Sequence, residues 1–256
     1  MDHLSMIRKQ SPLIHNITNY VVMNWTANGL LALGASPVMA HAIEEVADMT
    51  KISRALVVNI GTLSTPWVDS MKLAVRTASE LRIPIVLDPV GAGATLFRTR
   101  TAQELLKLGQ FAVIRGNASE ISAIAGHDAK SKGVDTGMSS SDAVSVAKFL
   151  SEKYHCVVVV SGATDFIVRH AECVKVEGGH EMMSRVTGMG CLASSVIGAF
   201  CAVESDYLIA AREAMKTMAR AGELAATECH GIGSFAVAFL DALPTSPVTL
   251  RVPTSP

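Results

Sequence analysis

The stretch VTGMGCLASSVIGAF, Val186 to Phe200, sets Gly188, Met189, Gly190 and Cys191 at the threshold of an apolar helix. First-turn amides of a helix are unpaired, and the helix dipole favours negative charge there. Glycines at that point therefore open a seat for a phosphate. Cys191 would stand in the first turn, where a thiol pKa is lowered. The same letters also describe a tight turn followed by a core cysteine, since free cysteine is a common interior residue. No lysine follows the glycines, so this is not a Walker A loop. No obvious first strand precedes it, as a dinucleotide fingerprint would require.

Three other stretches carry groups of the same kind. In LDPVGAG, Leu87 to Gly93, Asp88 is a carboxylate that could hold a hydrated magnesium ion, and the glycines let backbone approach a ligand. In RGNASE, Arg115 to Glu120, Asn117 and Glu120 lie three apart and share a face. An amide and a carboxylate so placed can organise water around a metal, and Arg115 can grip phosphate bidentately. The spacing fits equally well a helix start with Asn117 as cap and Glu120 as its capping-box partner. Near the N-terminus, Asn16, Thr18 and Asn19 can hydrogen-bond a small heterocycle between the polarizable walls of Met23 and Met39. Ordinary capping and core packing account for those residues too.

These groups need elements to position them. The runs ALVVNIG (55–61), IPIVLDP (83–89), FAVIRGN (111–117) and CVVVVSG (156–162) are continuous and rich in β-branched residues, as in strands buried on both faces. Asp88, Asn117 and Gly162 each fall at the C-terminal end of such a strand, where open α/β sheets bind ligands; a turn role suits each taken singly. Helical patterns over 67–81, 101–108 and 139–154 separate the runs, the last opening on the cap cluster SSSDAV. A strand over 12–18 precedes a helix over 19–33. Alternating strand and helix predicts βαβ units on a mainly parallel sheet. DFIVRH and CVKVEGG predict an antiparallel hairpin at the sheet edge, turning at 170–172. From Gly188 on, helices are expected to run through 206–229 and 231–243. The tail 244–256, rich in Pro, Ser and Thr, is expected to lie loosely. No linker divides residues 1–256, which read as one domain.

Composition narrows the class. About half of the 256 residues are apolar, enough for a sizeable core. The net charge of -1, without like-charge blocks, argues against nucleic acid as a partner. Five scattered cysteines without a CxxC pair argue against a disulfide framework and suit a reducing compartment. The opening residues lack an apolar signal segment, and the apolar run 192–203 is too short to span a bilayer. A soluble cytoplasmic α/β protein is expected.

Five stretches, in this order, resemble the hydroxyethylthiazole kinase family: HNITNYVVMNWTANGLLALGASPVMAHA, LDPVGAG, RGNASEI, VVSGATD and VTGMGC. The resemblance runs from about Pro12 to Leu243. It implies a three-layer α/β/α ribokinase-like fold and transfer of phosphate from ATP to the primary alcohol of 4-methyl-5-(2-hydroxyethyl)thiazole, with magnesium. It also implies a homotrimer with active sites at subunit interfaces. By the same resemblance Met39 and Gly188 contact the thiazole, Arg115 and Ser161 contact ATP, and Asn117 with Glu120 matches an NxxE magnesium motif. Cys191 stands where most ribokinase-like kinases have an aspartate base. A pyrimidine kinase or a hydrate dehydratase of this fold would be expected to carry that aspartate. A binding protein without chemistry would be expected to show decay in the glycine loop or NxxE, and both are intact.

Overall fold

A strand with apolar side chains at every position has no face to give to water, so it must be covered on both sides. The computed structural model, which describes residues 2–131 and 140–244, meets that demand with helices on both faces of one sheet. In β3 (Ala55–Asn59, after β1 at Leu13–Ile17 and β2 at Ser36–Val38), Ala55 and Val57 enter one core layer, while Leu56 and Val58 enter the other. The remaining strands are β4 (Ile85–Asp88), β5 (Val113–Asn117), β6 (Val157–Ser161), β7 (Asp165–Arg169) and β8 (Glu172–Val176). The order is β2-β1-β3-β4-β5-β6-β7-β8. Strands β2 to β6 run parallel; β7 and β8 form the antiparallel edge hairpin.

One face carries α1 (His3–Gln10), α2 (Met23–Leu33), α8 (Met189–Cys201), α9 (Tyr207–Glu228) and α10 (Ile232–Ala242). The other carries α3 (Val46–Ile52), α4 (Thr65–Glu80), α5 (Leu96–Leu108), α6 (Ala118–Ser131, broken at Gly126) and α7 (Ser140–Tyr154). This is the three-layer arrangement with a mainly parallel sheet. Nearly every residue of α8 is buried, and its small side chains let it sit directly on the sheet. A Cβ on Gly198 would come 2.7 Å from a methyl of Val57. Among the described residues no helix is long and apolar enough to cross a membrane.

Several boundaries differ from the sequence expectation. The helix expected from Asn19 starts at Met23, because a turn closed by Val22 N–H on the Asn19 carbonyl (3.2 Å) comes first. The helix expected over 101–108 begins earlier, at Leu96, with the Thr95 hydroxyl accepting from the Arg98 amide. Helix α1, strand β2 and helix α3 have no counterpart in the sequence reading; they are short, and their apolar residues too few to set a period. Ser139, the first residue of the expected cap cluster, and 245–256 of the tail lie outside the described residues.

Candidate active site

Parallel pairing puts like ends together, so the polar C-terminal residues of neighbouring strands fall in one row. Asn59 pairs in register with Asp88, and Asn117 with Ser161. Asn19 follows β1 on the same edge, and Gly188 to Cys191 begin α8 above it.

A buried chain of polar side chains crosses this edge. Ser194 hydroxyl donates to Asp88 Oδ2 at 2.8 Å, and Asn59 Nδ2 donates to the same oxygen at 2.9 Å. Asn59 Oδ1 accepts from Asn19 Nδ2 at 2.9 Å and from the Gly61 amide at 2.9 Å. Asn19 Nδ2 also reaches Cys191 Sγ at 3.5 Å. Asp88 is fully buried, and its Oδ1 has no partner. Burial pushes its carboxyl up to about 6, with the Glu120 charge adding to the rise, against the opposing pull of Arg115, Ser194 and Asn59. Asn59 was not singled out from sequence. The rule that marks Asp88, a polar residue closing an apolar run, marks Asn59 as well.

The expectation of a lowered thiol pKa at Cys191 is overturned. Burial, and then the nearby Asp88 charge, push the thiol up to about 11, outweighing the Asn59 and Asn19 hydrogen bonds and Arg115. Removal from water disfavours the thiolate. Asn16 is also corrected as a heterocycle ligand. Its Nδ2 donates to the Ile14 carbonyl and its Oδ1 accepts from Ser195, which fastens α8 to β1. Met23 opens α2 and packs half-buried against the core layer of α3–α7. Met39, half-buried, follows β2, and its neighbour Ala40 is pinned by a 2.6 Å hydrogen bond between its carbonyl and His15 Nε2.

Gly188 is the cap residue of α8, with φ +90°. A Cβ there would lie 2.8 Å from Val22 and 3.0 Å from Trp25, so the loop needs glycine for its backbone and for its fit against α2. Gly190 is bare for a different neighbour: an added Cβ would sit 2.5 Å from Arg115 Nη1. Arg115 thus lies against the loop, and its Nη2 donates to Ser161 Oγ at 2.6 Å. Arg115, Ser161, Gly162, Asp165 and Gly190 are among the residues lining a cavity of about 640 Å³. Asp165 is held above the usual carboxylate range by burial, although its Oδ1 accepts from the Gly162 amide at 3.0 Å.

Asn117 and Glu120 form the reciprocal pair that a capping box requires. Asn117 Oδ1 accepts from the Glu120 amide at 2.9 Å, and Glu120 Oε2 accepts from the Asn117 amide at 2.9 Å. Glu120 Oε1 takes the Gly91 amide at 2.8 Å, tying α6 to the loop after β4. Arg98, also not anticipated, clamps that loop from below by donating to the carbonyls of Ile60, Gly61 and Val90. Among the described residues no three His, Cys, Asp or Glu side chains converge as a metal cage. The unpartnered Asp88 Oδ1 and the nearby Glu120 do fit a cation that keeps most of its water, as magnesium does.

Comparison with known proteins points one way. The model of the "Hydroxyethylthiazole kinase family" matches residues 4–247. A hydroxyethylthiazole kinase of Leptospira biflexa is 52% identical over 243 residues, covering 95% of this chain and 91% of the relative. One from Syntrophus aciditrophicus is 54% identical over 238 residues, covering 93% and 88%. The solved hydroxyethylthiazole kinase of Pyrococcus horikoshii OT3 superposes with a TM-score of 0.86 at 45% identity, covering 94% of this chain and 91% of that one. A Bacillus subtilis ADP/ATP-dependent NAD(P)H-hydrate dehydratase, 16% identical with a TM-score of 0.62 over 93% and 89% of the two chains, shares the fold.

Proposed function

The chain belongs to the hydroxyethylthiazole kinase family, and from that premise we propose how its crevice carries out the reaction. The protein is a kinase that phosphorylates the hydroxyethyl alcohol of the thiazole, a step of thiamine salvage. The phosphoryl donor is ATP, seated with its triphosphate on Arg115, Ser161 and the amides of the Gly188–Cys191 loop. Thiazole lies beside Asn19, Met39 and Gly188, with Met23 behind it and its hydroxyl facing Cys191. That oxygen attacks the γ-phosphorus, the bond to the bridging oxygen of ADP breaks, and the hydroxyl proton passes late to an oxygen of the transferred group. Such a transition state is loose and asks little of a base, which suits a thiol that stays protonated at neutral pH. Cys191 orients the hydroxyl.

The loop amides and Arg115 stabilise charge on the phosphoryl oxygens as it develops. Asp88 and Glu120, with Asn117 ordering the turn between them, would hold magnesium partly through water. The ion would neutralise charge on the triphosphate. The observation that supports the reading most is the contact of the Arg115 guanidinium with bare Gly190, which joins a phosphate-binding cation to the anion seat of α8.

We further read the chain as one domain acting as a homotrimer in the cytoplasm, with thiazole sites shared between subunits. Five unpaired cysteines suit the reducing compartment. A coupled ADP-release assay over a panel of alcohols tests the activity. ADP formed with the hydroxyethylthiazole and not with pyrimidine alcohols is expected; ATP bound without turnover on any alcohol refutes it.

A further inference from the structure

The stretch between β2 and α3 carries Met39, and the sheet ladder does not reach it. Pairing of β1 with β2 ends with His15 opposite Val38. The next backbone closure comes where the Ala42 carbonyl accepts the Glu45 and Val46 amides, at 3.2 and 3.0 Å. Among the described residues, 39–41 make no backbone-to-backbone hydrogen bond. Two side-chain contacts reach them instead. The His41 and Trp67 rings lie with centroids 4.3 Å apart, and the Ala40 carbonyl accepts from His15 Nε2 at 2.6 Å.

His15 is fully buried on β1, and its surroundings assign its proton. A carbonyl only accepts, so the Ala40 bond places the proton on Nε2. Removal from water holds the ring below the usual histidine range, against the Ala40 bond and the Glu45 charge. The ring is therefore neutral, and Nδ1 is an acceptor. Thr50 Oγ1 of α3 lies 3.1 Å from Nδ1 and 2.7 Å from the Val46 carbonyl. Its single proton turns to Nδ1, which has no other donor, while the Val46 carbonyl keeps its helical amide. One ring nitrogen thus serves the Met39 stretch and the other serves the core.

Resting on the reading of Met39 as a wall of the thiazole site, we propose that His15 is a positioning residue for thiazole binding. Its Nε2–H holds the Ala40 carbonyl and so fixes the backbone that presents Met39. The Nδ1 bond anchors the ring to α3 and does not touch that backbone. The two roles separate by substitution, because an asparagine amide takes the place of Nδ1 and a glutamine amide that of Nε2.

The test measures KM for the thiazole alcohol, KM for ATP and kcat in His15→Asn, His15→Leu, His15→Gln and Thr50→Val, each checked for folding by circular dichroism. Asn and Leu lose the Ala40 bond and should raise thiazole KM about tenfold, with kcat and KM for ATP within about threefold of native. Gln keeps the bond and should bring thiazole KM back within about threefold of native. Thr50→Val should lower the urea midpoint and leave thiazole KM within about threefold. A Gln variant as impaired as Asn and Leu overturns the inference. So does a native thiazole KM in Asn and Leu, or a rise in Thr50→Val equal to theirs. A parallel rise in KM for ATP overturns it too, since a loosened core would act on both substrates. Met39→Ala tests the premise separately: an unchanged thiazole KM in that variant refutes the reading of the thiazole wall itself.

Discussion

At the scale of single residues, half-buried Cys191 and fully buried Asp88 are two acids whose environments push both pKa values upward, with different consequences. The Cys191 thiol, at about 11, stays protonated across the working range. Iodoacetamide at pH 8 should therefore label exposed Cys173 well before Cys191, as followed by peptide mass spectrometry. Cys191→Ala should lose no more than about a hundredfold in turnover, because positioning by the loop survives. Cys191→Asp should retain turnover or exceed it, since Asn19 and Asn59 can donate to a carboxylate there and Arg115 offsets part of the Asp88 repulsion. Turnover at saturating substrates, in variants checked for folding by circular dichroism, decides; abolition in both would make the thiol essential.

Asp88 carries a stability signature. Its folded pKa of about 6 lies above the ordinary 3.8, so its favourable contribution is present below pH 3.8 and is lost as pH rises through 6. The loss amounts to roughly 2–3 kcal/mol at neutral pH. Asp88→Asn keeps an acceptor for Asn59 and Ser194 and removes the buried charge. Urea unfolding of both proteins from pH 4 to 8 should show the variant gaining on the native enzyme as pH rises, while losing turnover. A constant difference across that range would contradict the account.

At the scale of elements, the glycine loop and the start of α6 act through backbone geometry. Gly190→Val would drive a side chain into Arg115 Nη1, so it should raise KM for ATP and cut turnover by about a hundredfold or more, with KM for the thiazole little changed. Native turnover in that variant would detach Arg115 from the site. Glu120→Gln puts an amide hydrogen against one of two backbone N–H groups, those of Asn117 or Gly91. It should cost about 1 kcal/mol of stability and depress turnover more than thiazole binding. Unchanged turnover over a magnesium titration would mean that Glu120 is a capping residue alone. Sequence spacing left the cap and the metal role open. The structure shows the cap formed, with Glu120 still near enough to raise the Asp88 pKa.

At the scale of the whole molecule, the exposed apolar residues of the α2 side suit a subunit contact. Tyr20, Val21 and Leu31 are each more than half exposed, and so is Val237 on α10, which packs on α2. Light scattering at micromolar concentration should give three times the chain mass. Leu31→Glu should shift the protein toward monomer and raise KM for the thiazole while sparing KM for ATP. A fully active native monomer would refute the shared site.

Residue order alone determined the strands with continuous β-branched runs, the hairpin at 165–176, the long helices, and a polar edge at the C-terminal strand ends. Those features obey local rules: side-chain period, turn chemistry and caps act within a few residues. Tertiary structure decided what those groups meet. Asn19 finds Cys191 172 positions away, and Ser195 finds Asn16 179 positions away. Only such encounters show that Asn16 fastens a helix, that Gly190 clears a path for Arg115, and that Asn59 joins two ends of the site. The Cys191 pKa turned the same way for the same reason. A helix terminus is visible in sequence, but desolvation depends on every segment packed around the thiol, and here it outweighs the hydrogen bonds from Asn59 and Asn19.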